Sequence, residues 1–144
     1  MSLIGKTAEV RLRVCPPRTA AEPTLSPGEE FPAVVVNSVA ANASLVALME
    51  LAAARLMQPQ LVAGQSSTSV AMNVMHLAMH RGGELRAVAT ALGSHGRMYY
   101  FRVHVFDESG LIGSAEHTRA VVLPRRLLAA ARRRAGRPSL LLAP

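Results

Sequence analysis

Residues 43–57, Ala-Ser-Leu-Val-Ala-Leu-Met-Glu-Leu-Ala-Ala-Ala-Arg-Leu-Met, constrain the fold more than any other stretch of this chain. Nearly every position favours helix, and Asn42 is a suitable N-cap. Pro59 and Gly64 mark the exit. Only Ser44, Glu50 and Arg55 interrupt an otherwise apolar cylinder. A helix that is apolar nearly all round has to be buried, so other elements must surround it.

The rest of the chain supplies strands. In residues 6–15, Ala8, Val10, Leu12 and Val14 fall on one face and Thr7, Glu9, Arg11 and Arg13 on the other, the alternation of a half-buried strand. Pro16 and Pro17 end it, and residues 16–30 read as a long loop of the lid or binding type. Residues 31–36 are ambiguous between a short strand and an extended approach to the helix. Residues 66–79, 84–92, 97–106 and 111–122 are strand-like, and the separators at 81–83, 93–96 and 107–110 carry turn chemistry. Short turns between successive strands predict an antiparallel meander. After Pro124 an Ala/Leu/Arg segment to about residue 134 reads as a surface helix, and residues 136–144 as a flexible tail.

One buried helix and five or six antiparallel strands predict an α+β domain in which the sheet wraps the helix, the hotdog architecture. A length of 144 residues leaves room for one domain spanning 1–144, with residues 1–38 as a divergent strand and lid-like loop. One sheet does not cover so apolar a helix, so at least a homodimer is expected. The single Cys15 excludes an intramolecular disulfide framework and points to a cytoplasmic setting. No signal-peptide pattern opens the chain. The uncharged stretches 31–49 and 56–80 are broken by Pro, Asn, Gln, Ser and His, so no membrane span is expected. The net charge of +7 comes almost wholly from Arg, and six of the fifteen Arg lie between 125 and 137. That segment has no interleaved aromatic residues for base stacking. A solvated amphipathic face, or Arg-rich codon usage, accounts for it without a nucleic-acid partner.

Glu50 is the residue that most needs explaining. Its same-face neighbours Val46, Ala47, Ala53 and Ala54 are small and apolar and offer it no partner. A carboxylate there either pairs across the fold or is desolvated, and both outcomes suit a general base or nucleophile. An exposed helix edge is the alternative. His76 shares a strand face with Met72, Val74 and Ala78, where a histidine is either a satisfied core residue or a catalyst. His80, His95, His104 and His117 carry weaker signals. The five His and one Cys lack metal-ligand spacing, so neither a metal nor another cofactor is expected. No nucleophile elbow, phosphate loop or dinucleotide fingerprint occurs.

Three blocks then stand out: Val46-Ala47-Leu48-Met49-Glu50; the strand ending Val74-Met75-His76; and Ile112-Gly113-Ser114-Ala115-Glu116-His117-Thr118-Arg119-Ala120-Val121. Together, over about residues 39–134, they resemble the fluoroacetyl-CoA thioesterase-like branch of the hotdog superfamily. The resemblance implies a dimeric acyl-CoA thioesterase whose catalytic set is a Thr before the helix, a Glu on it and a His on the following strand. The Glu falls on Glu50 and the His on His76. The Thr falls on Asn42, which has an amide but no hydroxyl. A family Gly whose backbone helps to bind the substrate carbonyl falls on Ser69, and Ala33 and Val36 stand where the family carries larger lid residues.

On this reading Glu50 acts on water or attacks the thioester directly, while His76 orients it or protonates the leaving thiolate. Backbone N–H groups around Asn42–Ser44 are expected to hold the oxyanion. Met49 is expected to shape the acyl pocket, and Arg119 and Arg125 to meet coenzyme A phosphates at its mouth. The substrate is an acyl-CoA or an acylated carrier protein. The rival readings are a non-catalytic acyl-CoA-binding or regulatory protein, which Asn42 favours, and a hydratase. The second would need an Asp near the helix start, whereas the only Asp is Asp107.

Overall fold

The computed structural model describes residues 2–14, 33–80 and 83–136; of residues 14 and 33–40 it describes the backbone alone. The elements follow in the order β1 (Thr7–Val14), α1 (Ala33–Met57), β2 (Ser66–His76), β3 (Gly83–His95), β4 (Met98–Asp107), β5 (Gly110–Val122) and α2 (Pro124–Ala135). The loop expected at 16–30 and the tail beyond residue 136 lie outside the described residues. The five strands form one antiparallel sheet in the order β1-β3-β4-β5-β2, and α1 packs against all five.

The alternation read from the sequence decides which face meets the helix. Ala8 pairs with Ala89, Ala89 with Val103 and Val103 with Ala115. Opposed residues of antiparallel strands share a face, so this row runs across the sheet beneath α1. The alanines of β3 (Ala87, Ala89 and Ala91) are buried and small, which lets the helix lie close. Glycine serves the same end at position 113. A Cβ there would stand 2.7 Å from Leu45 Cδ2 and 3.2 Å from Met49 Cε. Leu45, Leu48, Met49, Ala52, Ala53, Leu56 and Met57 form the buried face of α1. Each buried Leu or Met contributes about 1.5–3 kcal/mol of transfer free energy.

Three expectations are corrected. The helix begins at Ala33, not at residue 43, so Asn42 lies in its interior and does not cap it. The run Ala-Val-Val-Val, β-branched and strand-like by propensity, forms its first turn; β-branching is a weak preference that tertiary context overrides. The N–H groups of Asn42–Ser44 are therefore spent in the helical hydrogen-bond ladder and provide no oxyanion site. Second, α1 is not buried all round. Ala43, Ala47, Leu51 and Arg55 form an exposed stripe, with Leu51 54% exposed, because a single five-stranded sheet covers one side of a helix.

The third correction concerns topology. β3, β4 and β5 form the expected meander, but β2 does not pair with β3; it pairs with β5 at the opposite edge. Three strand spacings are about 15 Å, within reach of the six residues that separate β2 from β3. A short link therefore does not oblige its strands to be neighbours. The sheet also holds five strands, the lower of the two numbers expected. Among the described residues no helix is long and apolar enough to cross a membrane.

Candidate active site

The inner face of β5 carries Gly113, Ala115, His117 and Arg119 in alternation, all buried. Toward Arg119 it turns polar. Opposite lies β2, whose pairing slips between Ser69 and Ala71. Before the slip Ser67 faces Val121 and Ser69 faces Arg119; after it Met72 faces His117, Val74 faces Ala115 and His76 faces Gly113. The β-bulge at Val70 thus keeps both serines and the Met72–Val74–His76 series on the helix side. Without it the two sets would point to opposite faces.

A connected polar cluster results. Arg119 Nη1 donates to Glu50 Oε2 at 2.9 Å. Its Nε donates to Ser67 Oγ at 3.2 Å and its Nη2 to the Ser67 carbonyl at 3.1 Å. The Arg119 side chain is 6% exposed, while Glu50 is 38% exposed. Glu50 is thus neither unpaired nor fully buried: it pairs across the fold. Its Oε1 bonds no other group among the described residues. Beside this pair, Ser69 Oγ lies 3.1 Å from His117 Nε2. His117 Nδ1 is buried without a hydrogen-bond partner among the described residues. Burial lowers the His117 imidazole to about 4; the Arg119 charge acts in the same direction and Glu50 opposes it. His117 is therefore neutral near pH 7.

The other sequence candidates are dispersed. His76 is exposed at the end of β2 and makes no hydrogen bond, ion pair or ring contact among the described residues. Its partner Gly113 lies six residues along β5 from Arg119, about 20 Å of strand. Glu50 and His76 of one chain therefore do not meet. Asn42 is exposed, Ser44 half-buried, and Met49 fully buried in the core. Arg119 faces inward and is not at a pocket mouth; Arg125 is exposed on the first turn of α2. Sequence reading passed over His117, although the alternation Gly113, Ala115, His117, Arg119 already sets it on the face opposite Glu116 and Thr118. Among the described residues no group of three His, Cys, Asp or Glu could hold a metal ion.

A family profile described as FlK: Fluoroacetyl-CoA-specific thioesterase matches residues 26–124, the span that holds α1, the bulged β2 and the polar end of β5. The chain belongs to that family. The fluoroacetyl-CoA thioesterase of Streptantibioticus cattleyicolor is 38% identical over 94 residues, 65% of this chain and 64% of that relative's length. The structure of FlK, as a point variant in complex with acetyl-CoA, aligns with a TM-score of 0.74 at 28% identity, over 91% of this chain and 97% of that one. A hot-dog-like protein from Thermanaerovibrio acidaminovorans, 19% identical, shares the fold with a TM-score of 0.73 over 94% of each chain. The helix held against this antiparallel sheet is accordingly a hotdog fold, and the Glu50 cluster lies on the helix-facing side of an FlK-family member.

Proposed function

We propose that this FlK-family protein hydrolyses acyl-CoA-type thioesters, with Glu50 as the acting base or nucleophile. The observation that carries the reading is the Glu50 carboxylate itself, with one oxygen held by a buried arginine and the other without a partner among the described residues. With water as the nucleophile, its oxygen bonds to the thioester carbonyl carbon while Glu50 takes its proton. The C–S bond then breaks, and the thiolate leaves with a proton supplied by His76. Ser69 stands beside the bulge, where the ladder register is interrupted, and its backbone N–H is the proposed donor to the carbonyl oxygen. Arg125, exposed and cationic, is the proposed contact for coenzyme A phosphates.

The reading includes a homodimer that completes the site. β2 is an edge strand of 11 residues with Val70 and Met75 about half exposed, and the apolar stripe of α1 faces solvent in one chain. Such edges invite pairing. Antiparallel pairing of β2 with its copy about a two-fold axis brings the last residues of one strand beside the first residues of the other. The partner's His76 would then approach Ser67 and Ser69, and with them Glu50.

Two variants test both parts. Glu50→Gln and His76→Ala should each lower kcat by at least about 100-fold. Mixed and reassembled in equal amounts, they should regain about a quarter of wild-type activity, because half the dimers are mixed and one of their two sites is intact. Near wild-type activity in both single variants overturns the roles, and no recovery on mixing overturns the shared site.

A second reading rests on Asn42, exposed within α1 and lacking the hydroxyl of the family Thr: a protein that binds acyl-CoA without turnover. Stoichiometric binding with no thiol release across short, branched and aromatic acyl chains would decide for it.

A further inference from the structure

Arg119 differs from the other arginines for which the structure describes side-chain bonds. Arg11, Arg86 and Arg102 make ion pairs with carboxylates in partly exposed settings, and the exposed Arg55 donates to the Glu9 carbonyl. Arg119 is 6% exposed and directs three N–H groups at two residues. Two of them go to Ser67, one to its hydroxyl and one to its carbonyl. The guanidinium plane is thereby fixed by the strand before it reaches the helix. A buried charge held in this way costs desolvation, which good geometry and a full set of hydrogen bonds must offset. A phosphate-binding arginine at a pocket mouth needs neither burial nor such fixing.

We infer that Arg119 is a positioning residue for Glu50: anchored on Ser67, its guanidinium fixes carboxylate oxygen Oε2 and leaves Oε1 as the oxygen that meets substrate or water. This deepens the proposed hydrolase reading and rests on Glu50 acting in it. A lysine at position 119 would keep the charge, but a single ammonium on a flexible stem does not reproduce the planar fork that joins Ser67 to Glu50. The carboxylate would then sample orientations, and a misplacement of about 1 Å costs on the order of 100-fold in rate. Substrate binding, made elsewhere, would change little.

The test compares Arg119→Gln, Arg119→Lys, Arg119→Ala and Ser67→Ala on a short acyl-CoA. Arg119→Gln is expected to lower kcat by about 30- to 100-fold with KM within about threefold. Arg119→Lys should lie between it and the wild type, and Ser67→Ala should lose only a few-fold in kcat. Added guanidinium or methylguanidinium should restore part of the rate to Arg119→Ala and none to Glu50→Gln. A tenfold rise in KM with kcat unchanged would overturn the inference in favour of a phosphate contact. Equal rates for Arg119→Lys and Arg119→Gln, without rescue of Arg119→Ala, would overturn it in favour of a purely structural role.

A readout free of activity shows whether the arginine charge is where the geometry puts it. The His117 ring should titrate near 4 in the wild type, and its midpoint should rise in Arg119→Gln. An unmoved midpoint also counts against the inference. Near wild-type activity in Glu50→Gln, with the His117 midpoint still displaced by Arg119→Gln, would remove the catalytic reading and leave the contact standing, so the two failures are distinguishable.

Discussion

At the scale of single residues, His117 shows how a packed environment sets a protonation state. Its ring lies between Phe101, at 6.4 Å between centroids, and the hydroxyl of Ser69. Its folded-state value of about 4 lies below the ordinary value of 6.5. The unfolded chain therefore binds the proton first as pH falls. Stability contributed by the neutral ring is complete above about pH 6.5, declines toward pH 4 and levels off below it. Urea midpoints measured across that range should fall over the same window, and His117→Phe should flatten this part of the slope. A midpoint independent of pH in the wild type would refute the assignment. The position was legible in the sequence through alternation alone. Its protonation state was not, because that depends on how deeply the fold buries the ring and, after that, on the Arg119 charge packed beside it.

At the scale of elements, periodicity proved sufficient where it was unbroken. Ala8, Val10 and Leu12 on β1, and Phe101, Val103 and Val105 on β4, face the helix side as their spacing requires. It failed where a local irregularity resets the count. Ser67 and Ser69 share a face with Met72, Val74 and His76 only because Val70 is an extra residue, and no composition signal marks it. Deleting Val70 should turn either the serines or the Met72–Val74–His76 series away from the helix, exchanging an apolar set for a polar one. The expected outcome is loss of several kcal/mol or insoluble protein, read by chemical denaturation. Wild-type stability in the deletion would refute the bulge. The start of α1 was misjudged for a different reason: Val34, Val35 and Val36 prefer strand locally, and only their continuity with residues 43–57 makes them helix.

At the scale of the whole molecule, the buried face of α1 and the sheet beneath it satisfy each other, while the Ala43–Ala47–Leu51 stripe and the β2 edge do not. The expectation of a dimer came from the helix being too apolar for one sheet, and the exposed stripe is the physical form of that excess. Leu51→Glu places a charge on the stripe at a position the core does not use. On the proposed homodimer it should raise the dimer Kd by at least about tenfold, measured by sedimentation, and lower specific activity in parallel. A monomer with full activity would refute the shared site. The Glu50–Arg119 link was not legible in the sequence because it joins residues 69 positions apart, from α1 to β5, and the Ser67 that anchors it arrives through an unforeseen β2–β5 pairing.

The placement of β2 at the rim of the sheet has one more consequence. With the serines at its beginning and His76 at its end, a lone chain would, on the proposed roles, hold two incomplete halves of a reaction centre. On the proposed assembly, turnover per chain would depend on abundance, falling as the protein is diluted below its pairing constant, so that expression level itself would switch the chemistry on.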